Sequence, residues 1–260
     1  MKLQICCQLN YKTQEKVPLV LMLRPRSGFG QRVIEDECLF TPKVPVTEYI
    51  DLYGNLCQRL VSPIGEFGIK TSAIVETSDY IAVNSAAEFI PVENLPDYTL
   101  LYLLPSRYCE SDRFSFMAAE ITQNIELGYP QVEAICQWIG NKITYEYGYS
   151  SSSSSACDIN LSRIGVCRDF SHMGIALCRA INIPARMVVG YLHELNPMDL
   201  HAWFEAYVGG QWYTFDATQT IPKGNRVVLA YGRDAADVAL ATQFGNMQLM
   251  NMVVSVEQAK

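Results

Sequence analysis

The stretch LHAWFEAYVGGQWYTFDAT, Leu200 to Thr218, reads as two strands around a tight turn. In its first half Ala202, Phe204, Ala206 and Val208 form one face, and His201, Trp203, Glu205 and Tyr207 form the other. Gly209-Gly210 suits a two-residue hairpin, where positive φ is required. With those glycines as the turn, Val208 faces Gln211, Tyr207 faces Trp212 and Trp203 faces Asp216. His201 and Asp216 then share one face as diagonal neighbours, about 7–8 Å apart at the backbone and within bridging range of their side chains. A slip of one residue would send Asp216 to the opposite face. The same pattern also fits a surface hairpin with incidental polar groups, and the hairpin alone does not separate the two.

An imidazole oriented by a carboxylate is a general base, and a base needs a nucleophile to serve. The stretch GVCRDFSHMGIALCRA, Gly165 to Ala180, supplies one. Cys167 opens a helix expected over about Cys167 to Ile181, with Phe170, Gly174, Leu177 and Ile181 on its inward stripe and Pro184 beyond its end. A thiol in the first turn meets unpaired N–H groups and the positive end of the helix dipole, and both favour the thiolate. Only three histidines exist to serve it. His172 lies five residues on, about 140° around the helix from Cys167, and reads as structural. His193 falls in the loop-like HELNPMD and reads as exposed. His201 remains.

Composition bounds the alternatives. The 260 residues are 49% hydrophobic and 18% charged, enough for one large or two ordinary domains with substantial cores. A net charge of −7 argues against nucleic acid as a partner. No apolar run is long enough to span a bilayer, and MKLQICCQLNYK has no signal-peptide core, so a cytoplasmic location without membrane association is expected. Nine cysteines at irregular spacing are expected to be free thiols, eight of them small buried hydrophobes. There is no CxxC pair and no calcium loop, and Cys167 with His172 has the wrong spacing for a metal site. Neither metal nor cofactor is expected.

The first third of the chain alternates in β fashion, in KLQICCQLNYK, VPLVLMLRPR, QRVIEDECLF, YIDLYGNLCQRLV and FGIKTSAIVET, punctuated by turn signals such as Thr41-Pro42 and Gly54-Asn55. This suggests an antiparallel sandwich. Residues 91 to 115 are irregular and contain Pro91, Pro96 and Pro105, which sets an expected boundary: a β-sandwich over 1–105 and a catalytic domain over 106–260. Helices are expected in SFMAAEITQNIELG and PQVEAICQWIGNKI. Ser150 to Ser155 read as a polar loop, either a plain linker or a mobile segment beside the cleft over Cys167.

A cysteine on a helix, then a histidine and an aspartate on neighbouring strands, resembles the arrangement of the transglutaminase-like superfamily. GVCRDFSHMGIALCRAINIPARMVVGYL is similar to the nucleophile helix and following strand of its bacterial members, and DLHAWFEAYVGGQWYTFDAT to their His and Asp strands. The likeness continues into VVLAYGRDAADVA, and LMLRPR and YIDLYGNLCQRL resemble the β-rich domain that often precedes the core. Ala217 departs from the proline that often follows the aspartate, and the serine run is a second departure. The resemblance implies an α+β chain, a sandwich followed by a papain-like core, with Cys167 as nucleophile, His201 as base and Asp216 as orienter. It implies acyl transfer on a peptide or protein amide through a thioester, by hydrolysis or by cross-linking to an amine. A non-catalytic peptide-binding module on the same scaffold is the reading from another class. Trp203 and Trp212, on the His/Asp face of the hairpin, would shield the thioester or stack on substrate, or else simply pack.

Overall fold

The computed structural model describes residues 1–28, 30–221 and 223–259. Six strands come first: β1 (Lys2–Thr13), β2 (Pro18–Leu21), β3 (Gln31–Thr41), β4 (Val46–Ile50), β5 (Leu56–Val61) and β6 (Gly65–Thr77). In β1 the alternation of KLQICCQLNYKT translates directly into burial, with Leu3, Ile5, Cys7, Leu9 and Tyr11 turned into the core. The run YIDLYGNLCQRLV is two strands, since Asp51 accepts the Gly54 amide and closes a turn at Gly54.

Short helical turns occupy the proline-containing stretch, among them α1 (Asp97–Leu100). Then come α2 (Ser115–Ile121), α3 (Tyr129–Lys142), β7 (Thr144–Tyr145), α4 (Ala156–Ser162), β8 (Ile164–Gly165), α5 (Cys167–Ala180), β9 (Ala185–Leu192), β10 (His201–Val208), β11 (Gln211–Phe215), β12 (Arg226–Gly232), β13 (Ala241–Gln243) and β14 (Gln248–Gln258). Two expectations are corrected here. SFMAAEITQNIELG is helical only to Ile121, because the Asn124 backbone turns to positive φ. The polar segment before Cys167 contains a helix, α4, whose start is held by Asp158 accepting the Ser155 amide at 3.0 Å and the Ser155 hydroxyl at 3.2 Å.

Three four-stranded sheets result, all antiparallel, with orders β14-β1-β6-β3, β13-β2-β5-β4 and β11-β10-β9-β12. Strands β7 and β8 form a small parallel pair. The first two sheets make the N-terminal sandwich, and the third is the platform for α5. The expected division into 1–105 and 106–260 puts β13 and β14 with the second part, yet they hydrogen-bond to β2 and β1. An antiparallel edge accepts a strand from any point of the chain, and here the C-terminus returns to supply both.

Helix α5 is nearly all buried, with Met173, Ile175, Ala176, Leu177 and Cys178 fully covered. Each large apolar side chain so buried is worth roughly 1.5–3 kcal/mol. The helix crosses β10 closely at Gly174, where a Cβ would lie 2.4 Å from the Phe204 ring. All nine cysteines are unpaired. Cys7, Cys57, Cys109 and Cys178 are buried, while Cys6, Cys38, Cys136 and Cys157 are only half-buried, short of the full burial expected of all eight. No helix among the described residues is long and apolar enough to cross a membrane.

Candidate active site

The hairpin has the register expected from its two glycines. Val208 pairs with Gln211, Tyr207 with Trp212 and Phe204 with Phe215, and both glycines have positive φ. His201 starts β10 and lies opposite Gly190 of β9. Asp216 follows the last residue of β11. Their side chains meet, the imidazole Nε2–H donating to Asp216 Oδ2 at 2.8 Å. Both residues are buried.

Cys167 is brought to this pair by the local chemistry of GVCRD. The Asp169 carboxylate, fully buried, accepts the Val166 amide at 2.9 Å and fixes the start of α5. Gly165 is required there, since a Cβ would lie 2.7 Å from Asp169 Cβ. The Cys167 thiol is half-buried at the helix start, next to the His201 ring. The second ring nitrogen, Nδ1, is buried without a hydrogen-bond partner among the described residues, which leaves it to face the thiol or a reacting group.

Burial alone would lower the His201 pKa. The Asp216 carboxylate and the Cys167 thiol reverse that effect and raise it to about 9. Asp216 is the converse case: burial favours its neutral form, yet His201, Arg226 and Thr218 hold it well below the usual carboxylate range. Its four hydrogen bonds divide evenly. Oδ2 accepts from His201 and from Arg226 Nη2 at 2.8 Å, and Oδ1 accepts the Thr218 amide at 3.1 Å and the Thr218 hydroxyl at 2.7 Å.

Arg226 and Thr218 are site residues that the sequence reading missed. Thr218 had a local signal, because an aspartate often accepts the amide two residues on. Arg226 starts β12, ten residues from Asp216, and nothing in its neighbourhood marks it as that carboxylate's partner. A third missed residue is Tyr145, which pairs with Gly165 just before α5 and packs its ring on Phe170 at 5.7 Å. Burial raises the Tyr145 hydroxyl pKa and the neighbouring Cys167 thiol raises it further, while the Cys167 backbone N–H opposes them.

The tryptophans need correction as substrate contacts. Trp203 is 1% exposed, with His201 stacked at 6.2 Å and the Arg226 guanidinium 4.9 Å from its ring centre. It is packing beneath the site because β10 is an inner strand covered on both faces. Trp212 is four residues before Asp216, about 13 Å along the strand, against Tyr102, Tyr207 and Arg186. His172 is fully buried, stacked on Tyr108 at 5.2 Å, and its Nε2 accepts the Ala235 amide. Burial lowers its pKa to about 3, the behaviour of a neutral structural histidine. Among the described residues no group of three or more His, Cys, Asp or Glu side chains could hold a metal ion.

Comparison with known proteins agrees with this architecture. The transglutaminase-like superfamily core model matches residues 115–217, the span from α2 to just past Asp216. A solved structure, that of a candidate cysteine protease from Cytophaga hutchinsonii, is 37% identical with a TM-score of 0.93, over 100% of this chain and 91% of that one. The uncharacterized protein ML0607 of Mycobacterium leprae is 29% identical over 231 residues, which is 84% of this chain and 82% of that protein. The uncharacterized protein Rv2569c of Mycobacterium tuberculosis is 33% identical over 110 residues, 36% of this chain and 35% of that protein. The chain belongs to the transglutaminase-like superfamily.

Proposed function

We propose that the protein is a cysteine-dependent amidase acting on peptide or γ-glutamyl amides, with Cys167 as nucleophile, His201 as acid and base, and Asp216 as the residue that orients it. The observation that carries this reading is the buried 2.8 Å contact between His201 and Asp216 beside the thiol that opens α5. A binding module has no use for a carboxylate held ionised behind an imidazole. With its pKa raised to about 9, His201 is an imidazolium at neutral pH and stands beside the sulfur that opens α5.

The sulfur bonds to the amide carbonyl carbon, and the carbonyl π pair moves to oxygen. The Cys167 backbone N–H at the helix start would donate to that oxygen. The intermediate collapses with loss of the C–N bond as His201 gives its proton to the leaving nitrogen. An acyl-thioester and a neutral imidazole remain. Water then attacks the thioester carbon, delivers its proton to His201, and the C–S bond breaks. An amine in place of water would yield a new amide, the cross-linking outcome that uses the same residues.

The test is a panel of peptide and γ-glutamyl amide substrates with and without added primary amine. Hydrolysis is expected to dominate, and Cys167→Ala is expected to lose at least about a thousandfold in kcat/KM with its urea midpoint unchanged. Turnover that survives Cys167→Ala would sink the assignment.

A further inference from the structure

One groove beside the site has a use that the triad does not explain. It lies between α3 and the loop after Asp216, with a volume of about 400 Å³, in the range of small-ligand pockets. At one end are Tyr145 and Phe170, the two residues packed around the start of the nucleophile helix. Tyr145 is also a neighbour of Cys167, so the groove passes close to the thiol while α3 forms one of its walls.

Its lining divides by chemistry. The buried part is Tyr129, Phe215, Phe170 and half-buried Cys136, an apolar surface. The exposed part of α3 is Glu133, Gln137 and Asn141. These are spaced four residues apart, so they stand on one helix face and line up along the groove. Gly140 sets the width, since a Cβ there would lie 3.1 Å from the Ala217 carbonyl oxygen of the facing loop. No lysine or arginine lines the groove. Two carboxylates do, and Asp216 is committed to His201 and Arg226. Glu133 makes no ion pair among the described residues. Glu133 lines the groove together with Tyr129 and is exposed on α3.

We propose that this groove is a specificity pocket for a basic side chain flanking the scissile amide, with Glu133 as the counter-charge. The aliphatic stem of a lysyl or arginyl residue would lie on Tyr129, Cys136 and Phe215. Its cationic head would meet the Glu133 carboxylate, with the carboxamide oxygens of Gln137 and Asn141 as further acceptors. An acidic side chain would meet only repulsion. This inference rests on the amidase reading, because it takes Cys167 as the point that fixes the substrate.

The test uses epoxysuccinyl peptides, which alkylate a nucleophilic thiol from either side, carrying lysine, norleucine or glutamate on one arm or the other. The rate of Cys167 labelling by each is divided by the rate with iodoacetamide for the same variant. On one arm, lysine is expected to exceed norleucine by about threefold to fivefold, the range of a solvent-accessible ion pair. Glu133→Gln is expected to bring the ratio to about one, and Glu133→Lys to favour glutamate over lysine. A wild-type ratio near one on both arms, or a lysine preference that survives Glu133→Lys, would overturn the pocket. The underlying reading fails separately: iodoacetamide labelling of Cys167 no faster than of the other eight cysteines removes the nucleophile, and the pocket with it.

Discussion

His201 starts β10, Asp216 comes just after β11 fifteen residues later, and the two are not cross-strand partners, yet their side chains meet at 2.8 Å. The pairing ends at Phe204 and Phe215, and its continuation by one residue would put Trp203, not His201, opposite Asp216, so the contact is a diagonal one. Strand β11 ends at Phe215, and this lets the aspartate bend towards the imidazole, helped by the two hydrogen bonds its Oδ1 accepts from Thr218.

The carboxylate raises the imidazole pKa, so Asp216→Asn is expected to show in two pH profiles. A histidine raised from 6.5 to about 9 contributes stability that is complete below about 6.5 and is lost as pH rises through about 9. The depressed Asp216 adds a contribution present above about 4 and lost in more acid solution. Wild-type urea midpoints should therefore fall between pH 6.5 and 9, and the fall should be smaller in Asp216→Asn, where only the Cys167 thiol still raises the imidazole pKa. The alkaline limb of activity should move below 9, with kcat reduced by about a thousandfold. An unchanged alkaline limb would mean that Asp216 does not set the imidazole.

Arg226 is the third party to that contact. Its Nη2 donates to Asp216 at 2.8 Å, its Nε donates to the Lys223 carbonyl, and its guanidinium covers Trp203. Removing one partner of a buried pair leaves an uncompensated charge, which costs about 3–5 kcal/mol. Arg226→Ala is expected to be destabilised by about that amount in urea titration. Arg226→Lys keeps the charge but loses the planar fork, and should recover part of the loss. If both variants match wild type, Arg226 is not supporting the carboxylate.

The hairpin was legible because each of its determinants is local: strict alternation, a Gly-Gly turn and a register that follows by counting. The helix start at Cys167 was legible for the same reason. What could not be read lies in pairings over long sequence separation. The partner of β14 is β1, more than two hundred residues away, and QLMNMVVSVEQ looks alike whichever sheet it joins. Arg226 reaches Asp216 only because β12 adds to the far side of β9. Helix α4 was hidden by the serines in front of it, whose last member, Ser155, is its cap. Trp203 stayed open between substrate contact and packing because alternation assigns a face but does not show that both faces of β10 are covered.

Gly174 tests how α5 is seated. A methyl group there would enter the Phe204 ring, which is itself stacked on Phe215 at 5.7 Å. The ring has little room to retreat, so overpacking should cost about 1–3 kcal/mol. Gly174→Ala is expected to lower the urea midpoint accordingly and to slow iodoacetamide labelling of Cys167, since the helix that carries the thiol must shift. A double variant with Phe204→Leu should regain most of both. No recovery in the double variant would mean that the Gly174–Phe204 contact does not set the helix position.

The serine segment is the last element to place. Ser151 to Ser154 fold on themselves, the Ser151 hydroxyl meeting that of Ser153 at 2.8 Å and the Ser151 amide donating to Ser154 at 2.9 Å. A hydrogen bond ties this turn to the site: Arg168, the residue after Cys167, donates from Nη2 to the Ser151 carbonyl at 2.5 Å. The turn thus stands beside the first turn of α5, with the exposed rings of Tyr147 and Tyr149 in the chain leading to it. A wall of this kind touches a bulky substrate but not a small reagent. Arg168→Ala should free the wall, and trimming the run from six serines to two should remove it. Both changes are expected to alter KM for a bulky peptide amide several-fold, and to alter iodoacetamide labelling of Cys167 by less than about twofold. Parallel changes in the two measurements, or none in either, would make the segment a linker that happens to pass by.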